Sequence, residues 1–213
     1  MLNVMVRLFV GFIGVHMKYR MLDLFSGLGG ASEAFVQSKY WEVVRIENNP
    51  LCADVECTQI IDINVIHANR AIYAVKQWDL IWASPPCTQF SKARVPQIKN
   101  PDLGLVKKTI EIIEALNPRY WIIENVDGAI KHFMPLLGPP RLKLGPYCLW
   151  GNFPLFNVNM KGYSKMDGDT WSDDPLRPQK RAYVPFKISE ALRQSIQYQS
   201  TLVEFNEAKA TNR

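Results

Sequence analysis

The stretch from Tyr19 to Val36 reads YRMLDLFSGLGGASEAFV, and it decides the fold. Its opening part, Tyr19 to Phe25, predicts a buried strand. Ser26 to Gly30 interrupts that strand with a glycine-rich turn, and Ala31 to Val36 then has the pattern of a helix whose apolar side faces a sheet. A strand, a glycine turn and a helix form the first unit of a nucleotide-binding α/β fold, because glycine lets the backbone approach a ligand closely.

Two carboxylates follow near the ends of the next two predicted strands. Trp41 to Glu47 is the second strand, and Glu47 lies about twenty residues beyond the glycine turn, where an acid can accept both hydroxyls of a ribose. The helix that Asn48-Asn49-Pro50 starts is predicted to reach about Cys57, and Gln59 to Ile63 is a third strand with Asp62 near its end. With the glycine turn, the two acids predict a site for an adenosine-containing cofactor.

A cysteine comes directly after the fourth predicted strand, Trp78 to Ala83. Pro85 and Pro86 end this strand, since proline cannot donate a ladder hydrogen bond. Cys87 is therefore expected at the carboxyl end of a buried strand, the edge at which open α/β sheets bind ligands. Taken alone, Cys87 is equally compatible with a buried, inert thiol.

A carboxylate follows the fifth predicted strand, Tyr120 to Ile123, in the sequence Glu124-Asn125-Val126. The ends of neighbouring parallel strands face one crevice, so Glu124 and Cys87 are expected to share it. A buried glutamate has its pKa raised by desolvation and can then donate a proton to a ring nitrogen. This pairing favours a chemical role for the cysteine.

The chain between these two strands is predicted to contain a long polar loop, Thr88 to Gly104, before a helix from Leu105 to Leu116. A shorter helix is predicted over Ala68 to Lys76. Five basic residues against one acidic residue make 92–108 the most basic part of the chain, a pattern equally compatible with a polyanionic partner and with a solvated loop and helix face. These residues are Lys92, Arg94, Lys99, Lys107, Lys108 and the acidic Asp102.

Composition indicates one globular domain. The chain has 213 residues, 47% of them hydrophobic, and a net charge of +5. Four cysteines are too few for a disulfide scaffold, and Cys52 with Cys57 lacks the second pair or the histidines of a zinc site. We therefore expect no metal and a reducing, cytoplasmic compartment.

The apolar residues 8–15 are too few to span a bilayer, and no signal-peptide cleavage site follows them. We expect no membrane association. Residues 1–16 are interpreted as an extension, or as sequence upstream of a true start at Met17, so that 17–213 form the single domain.

Three of these segments resemble the motifs of the DNA cytosine-5 methyltransferase family, in the family's order. Asp23 to Gly30 resembles its first cofactor motif, Ser84 to Ser91 resembles its nucleophile motif Pro-Cys-x-x-Phe-Ser, and Glu124 to Val126 resembles its Glu-Asn-Val motif. The match covers about residues 20–130. It implies a Rossmann-like methyltransferase fold, with a mostly parallel sheet flanked by helices, that uses S-adenosylmethionine.

The resemblance also implies a role for each matching residue. Cys87 would be the nucleophile that adds to C6 of cytosine, and Glu124 would hold and protonate N3. Glu47 would bind the ribose and Asp62 would lie near the adenine. The other cofactor contacts would be Asp23, Phe25, Ser26, Gly27, Gly29, Gly30 and Pro85. The target base would flip out of duplex DNA, and the loop 88–104 would close over it, with DNA contacts from Ser91, Lys92, Arg94 and Lys99.

The second half departs from the family pattern. The strand-like segment 141–154 begins with Arg141, the candidate for the family's cytosine-contacting arginine, and 157–180 is far too short for a normal target-recognition domain. Residues 181–192 resemble the closing motif, a Pro-led turn before a Ser-capped helix in region 181–200. This organisation resembles compact, phage-like members from restriction-modification settings.

Such a reduced region implies a short site, low specificity or a separate target-recognition protein. The partner would then be DNA, in the nucleoid of a bacterial or phage-infected cell. Two alternatives remain open: an RNA (tRNA) cytosine-5 methyltransferase on the same scaffold, and a non-catalytic subunit that binds the cofactor or DNA.

Overall fold

Seven strands form one sheet in the computed structural model, which describes residues 18–75, 77–91, 96, 98–163 and 173–211. The strands are β1 Tyr19–Leu24, β2 Trp41–Glu47, β3 Thr58–Ile60, β4 Leu80–Ala83, β5 Tyr120–Val126, β6 Leu142–Leu144 and β7 Tyr147–Asn152. The helices in these ranges are α1 Glu33–Val36, α2 Arg70–Tyr73, α3 Gly104–Leu116, α4 Ile130–Leu137, α5 Arg177–Ala182 and α6 Phe186–Thr211. Short 3-10 turns span Pro50–Cys52, Ile63–Ala68 and Asp127–Ala129.

The strand order is β3-β2-β1-β4-β5-β7-β6. The five strands from β3 to β5 run parallel, whereas β7 runs antiparallel to both β5 and β6. The predicted α/β fold with a mostly parallel sheet flanked by helices is confirmed. The chain leaves β1 in one direction towards β2 and β3 and later returns to build β4 and β5 on the other side. Such a switch in strand order is where α/β sheets bind ligands, at the carboxyl ends of the strands.

Each face of the sheet carries its own apolar layer. On one face, Ile113 of α3 and Phe133 of α4 pack with Trp78 and Trp150. On the other face, the apolar layer includes Phe35 of α1 together with Ile188, Leu192 and Ile196 of α6. Both layers are buried, so the sheet is covered on both sides, as parallel strands require.

Several predicted boundaries were too generous. β4 begins at Leu80, not at Trp78, whose buried indole instead donates to the carbonyl of Ile72 at 3.3 Å. The helix predicted over 68–76 is only Arg70–Tyr73, and it begins there because the Asn69 side chain accepts from the amides of the first turn. The helix expected to reach Cys57 is the 3-10 turn Pro50–Cys52.

The third strand was also wrongly bounded, since β3 spans Thr58–Ile60 and Asp62 lies beyond it. Asp62 leaves the sheet because its Oδ1 accepts from the amide of Asn64 at 2.8 Å, which starts the next 3-10 turn. At β1, the predicted strand is one residue too long, because Phe25 has a left-handed φ of 58°.

β5 is longer than predicted and includes Glu124, Asn125 and Val126. The reason is β7, whose antiparallel pairing continues to the end of β5, with Glu124 opposite Leu149. This partner lies more than twenty residues further along the chain, so the pattern around Ile123 carries no sign of it.

α6 begins at Phe186, directly after Pro185, so the Pro-led turn is present. The expected serine cap is wrong. Ser189 lies inside the first turn, fully buried, and its Oγ accepts from the amide of Ala34 at 3.1 Å. That hydrogen bond joins α6 to α1. No helix in the described ranges is long and apolar enough to cross a membrane, and residues 1–16 lie outside those ranges.

Candidate active site

The turn after β1 is built from left-handed backbone. Phe25, Gly27 and Gly29 have φ values of 58°, 52° and 76°. Glycine adopts this region without strain, whereas a bulky residue such as Phe25 is held there only when its surroundings enforce it. The strained position lies where β1 meets the ligand edge of the sheet.

Glu47 fixes this turn from the end of β2. Its Oε2 accepts from the amide of Gly27 at 2.8 Å, and its Oε1 accepts from the amides of Asn48 and Asn49 at 3.0 and 2.9 Å. A carboxylate has about four acceptor sites. These three backbone bonds therefore orient Glu47 and leave about one site for a ligand hydroxyl.

Below the turn, a buried polar network supports Asp23. Its Oδ2 accepts from the Ser32 hydroxyl at 2.6 Å, which in turn accepts from Nε of Arg45 at 2.8 Å. Arg45 also donates to the carbonyl of Gly29 at 2.9 Å and to Glu33 at 3.0 Å. Desolvation raises the pKa of Asp23 to about 7, against the opposing effects of the Ser32 hydrogen bond and Arg45.

Two glycines of the turn are required by close approach. A Cβ on Gly29 would lie 2.4 Å from Cζ of Arg45, and one on Gly30 would lie 2.4 Å from the carbonyl oxygen of Val184. The absence of a side chain at Gly29 leaves room for the guanidinium group of Arg45. Gly30 lets the segment before α6 pack directly on the turn.

Together these elements enclose a cleft of about 340 Å³. It contains most of the predicted cofactor residues: Asp23, Phe25, Ser26, Gly27, Gly30, Glu47 and Asp62. Cys87 lines the same cleft with its neighbours Pro86 and Thr88. Gly29 faces Arg45 instead, and Pro85 is buried beside the cleft.

The cysteine turn is anchored at both ends. The carbonyl of Pro85 accepts from Nδ2 of the fully buried Asn125 at 2.9 Å, and the carbonyl of Cys87 accepts from the amides of Phe90 and Ser91, both at 3.0 Å. The buried Phe90 ring packs edge-on against a phenylalanine of α4. These contacts hold the partly exposed thiol at the cleft.

Glu124 lies one residue beyond the register pair Ala83 and Ile123, on the strand next to the one that carries the cysteine turn. It is 7% exposed. β4 and β5 are neighbouring parallel strands, as expected, but Glu124 lies within β5 and is not among the residues that line the cleft. Its pairing with Cys87 stays a prediction. Asn125 holds the cysteine turn, a role that sequence reasoning missed although its place in the Glu-Asn-Val motif was a signal.

Arg141 lies at the start of the β6–β7 hairpin. It is exposed, its Nε donates to the carbonyl of Phe153 at 3.1 Å, and its guanidinium lies 5.6 Å from the centre of that ring. It is not among the residues that line the cleft. Its assignment as a cytosine contact stays a prediction.

Among the DNA-contact candidates, Lys99 is exposed in the loop before α3, and Ser91 follows the cysteine turn. Lys92 and Arg94 lie outside the described residues. In the described part of the chain, no group of three potential ligands could hold a metal ion.

The far wall of the cleft comes from a part of the chain that sequence reasoning took for a loop. Pro178 and Gln179 of α5 line the cleft, followed by residues 182–184. The short basic helix has a weak signal, a proline in its first turn, within a polar segment rich in breakers.

The chain is similar to known proteins of one family. The family model described as C-5 cytosine-specific DNA methylase matches residues 19–134. A Frog virus 3 protein named "Probable DNA (cytosine-5)-methyltransferase" is 30% identical over 130 residues, which cover 54% of this chain and 58% of that protein.

Two bacterial relatives are similar at a comparable level. Type II methyltransferase M.AquIA of Picosynechococcus sp. is 29% identical over 126 residues, covering 54% of this chain and 51% of the relative. Type II methyltransferase M.HgiGI of Herpetosiphon aurantiacus is 29% identical over 119 residues, covering 52% and 92%. The chain thus spans little more than half the length of the first two relatives. Because the family model takes in over half of the 213 residues, with the glycine turn, Cys87 and Glu124, the chain belongs to the C-5 cytosine-specific DNA methylase family.

Proposed function

We propose that this chain transfers a methyl group from S-adenosylmethionine to C5 of cytosine in DNA. The observation that carries the proposal is that Cys87 lines the same cleft as the glycine turn, Glu47 and Asp62. A nucleophile and a nucleoside-binding edge in one cleft suit a reaction between a bound cofactor and a base. Family membership and the names of the viral and bacterial relatives support the same chemistry.

The residues present fit S-adenosylmethionine. Glu47 has about one acceptor site for a ribose hydroxyl. Asp62 uses Oδ1 on Asn64, so its second oxygen is available among the described residues for the adenine amino group. The cleft also holds buried polar atoms of Asp23 and Ser26 that find no partner within the described chain. The cofactor, when bound, supplies an electrophilic methyl group on a sulfonium.

Cys87 and Glu124 would then activate the base. Carbon C5 of cytosine is a poor nucleophile, but when the Cys87 thiolate bonds to C6, the ring electrons move towards N3 and C5. Glu124 hydrogen-bonds and protonates N3, which neutralises the developing charge, and C5 becomes an enamine carbon able to take a methyl group. Once C5 carries the methyl group, a base such as water takes the C5 proton and the bond between sulfur and C6 breaks to release the thiolate. N3 returns its proton to Glu124, and the aromatic ring is restored.

Duplex DNA hides the faces of cytosine, so this chemistry requires the base to flip out. We assign Ser91, Lys92, Arg94 and Lys99 to the DNA backbone and Arg141 to the flipped base. The short segment between β7 and α6 leaves little protein to read a sequence. We therefore propose that the chain either methylates DNA with low sequence specificity or depends on a separate target-recognition protein.

Trapping on fluorinated DNA tests the mechanism. Duplex DNA with 5-fluorocytosine should form a covalent adduct with the protein in the presence of S-adenosylmethionine, because fluorine at C5 cannot be eliminated. Cys87→Ser should abolish the adduct while cofactor binding, measured by calorimetry, stays intact. An adduct that survives this substitution would contradict the assigned nucleophile.

A transfer assay with labelled methyl groups tests the substrate. We expect label in DNA, and label that enters only a matched RNA oligonucleotide would refute DNA as the substrate. A map of methylated cytosines in host DNA after expression then measures specificity. Dense methylation without a shared sequence is the expected result for the chain alone.

A further inference from the structure

We infer that Gln179 of α5 binds the amino-acid end of the cofactor, by accepting a hydrogen bond from its α-ammonium group. The inference rests on the proposed function, because it assumes that S-adenosylmethionine occupies the cleft. It assigns a site residue to the segment 157–180, which carries none of the motifs described above.

Three buried polar atoms at the cleft lack a hydrogen-bond partner. Oε1 of Gln179, Oδ1 of Asp23 and Oγ of Ser26 are buried and have no hydrogen-bond partner in the described part of the chain. All three residues line the cleft. A buried polar atom without a partner is costly, and native proteins keep few of them. Three around one cleft indicate a ligand that supplies the missing partners.

The three residues lie close together around the glycine turn. Asp23 and Ser26 flank the start of the glycine turn, and Gln179 packs on the same turn, with its Cγ 3.7 Å from the position that a Cβ on Gly27 would take. All three unpartnered atoms therefore belong to the end of β1 and to the segment that covers it.

The order of the strands determines the orientation of the ligand in the cleft. Asp62 follows β3, Glu47 ends β2, the glycine turn ends β1 and Cys87 follows β4, and these strands are neighbours in that order. Adenine near Asp62 and ribose on Glu47 direct the sulfonium towards β1 and β4. Its methyl group must face the cleft at Cys87, so the amino-acid branch lies over the end of β1.

The donors and acceptors of the amino-acid branch match these atoms. The amino-acid branch carries an ammonium group with three N–H donors and a carboxylate. Oε1 of Gln179 is an acceptor only, so it suits the ammonium, and the ionised carboxylate of Asp23 would accept beside it. The Ser26 hydroxyl can donate and so suits the carboxylate. Gln179 thereby recognises a part of the cofactor that a nucleoside lacks.

Calorimetry with two ligands tests this assignment. S-adenosylhomocysteine carries the amino-acid end, and 5′-methylthioadenosine lacks it. For Gln179→Leu, which keeps the size but loses the acceptor, we expect about ten- to a hundredfold weaker binding of S-adenosylhomocysteine and unchanged binding of 5′-methylthioadenosine. Gln179→Glu, which keeps an acceptor, should bind S-adenosylhomocysteine at least as tightly as the wild type.

The outcomes separate the inference from the proposed function. A Gln179→Leu protein that loses affinity equally for both ligands, or for neither, would overturn the role of Gln179 while leaving the proposed function standing. A correctly folded wild-type protein that binds neither ligand would overturn both. As a further check, an S-adenosylhomocysteine analogue with hydrogen in place of the amino group should bind the wild type and Gln179→Leu equally. A loss that persists with this analogue would refute the ammonium as the group bound.

Discussion

Asp23 makes the stability of this protein depend on pH in a direction that the structure determines. Its carboxyl group is fully buried, and desolvation raises its pKa from 3.8 to about 7. Between these pH values the folded state holds a proton that the unfolded chain releases. The stabilisation is complete below the unfolded pKa and is lost as the pH rises through about 7. The full change in pKa corresponds to about 4 kcal/mol in the free energy of unfolding.

Asp23→Asn isolates this contribution. The amide keeps an acceptor for the Ser32 hydroxyl but does not titrate, so its stability should lack this pH dependence. In urea unfolding without ligand, we expect the wild type to lose about 3 kcal/mol relative to the variant between about pH 5 and about pH 8. Parallel curves for the two proteins over this range would refute the argument that burial of Asp23 opposes its ionisation.

Three further predictions follow from single contacts. Gly30→Ala should lower the free energy of unfolding by about 1–3 kcal/mol and weaken S-adenosylhomocysteine binding, because its Cβ would meet the carbonyl of Val184; unchanged affinity in calorimetry would exclude Val184 as a wall of the cleft. Asn125→Ala removes the donor to the carbonyl of Pro85, so fluorocytosine trapping should slow while cofactor affinity holds; a wild-type trapping rate would show that the turn does not need Asn125. Lys99→Gln should reduce the slope of log affinity against log salt by about 0.9, as expected for one phosphate contact; equal slopes would remove Lys99 from the DNA interface.

The parts of the site that the sequence predicted are those set by local rules. The span Trp41–Glu47 was correct to the residue, because an apolar pattern ends there in a carboxylate. Pro85 and Pro86 stop β4 wherever it begins, so the place of Cys87 did not depend on the error at Trp78. The convergence of these strand ends on one edge then follows from parallel topology alone.

The parts that were missed depend on partners far along the chain. β5 runs on to Val126 because β7 pairs with it, and no pattern around Glu124 reports that partner. Arg45 is a polar position in an otherwise apolar stretch of β2. It is nevertheless buried, because Ser32, Gly29 and Glu33 accept its hydrogen bonds. Sequence periodicity records which side chains are apolar, but not which polar ones will be satisfied inside the fold.

The chain beyond residue 134 completes a cleft whose glycine turn and cysteine lie before it. The family model ends at residue 134, yet the wall formed by 178–184 is needed to close the cleft. Three contacts hold that wall: Val184 against Gly30, Ser189 on the amide of Ala34, and the hydroxyl of Tyr147, which donates to the carbonyl of Tyr183 at 2.9 Å.

The tyrosine contact also fixes a direction of donation. Because the Tyr147 hydroxyl donates its hydrogen bond to the carbonyl of Tyr183, the Tyr163 hydroxyl, 2.8 Å away, must be the donor in its hydrogen bond with Tyr147. Desolvation by burial raises the pKa of Tyr147, so it remains a donor throughout the neutral range. The short segment that ends at Tyr163 is thus linked through β7 to the wall of the cofactor cleft. A chain cut after residue 134 would keep Cys87 and Glu124 but lose that wall, so we expect it to bind S-adenosylhomocysteine more weakly than the whole chain does.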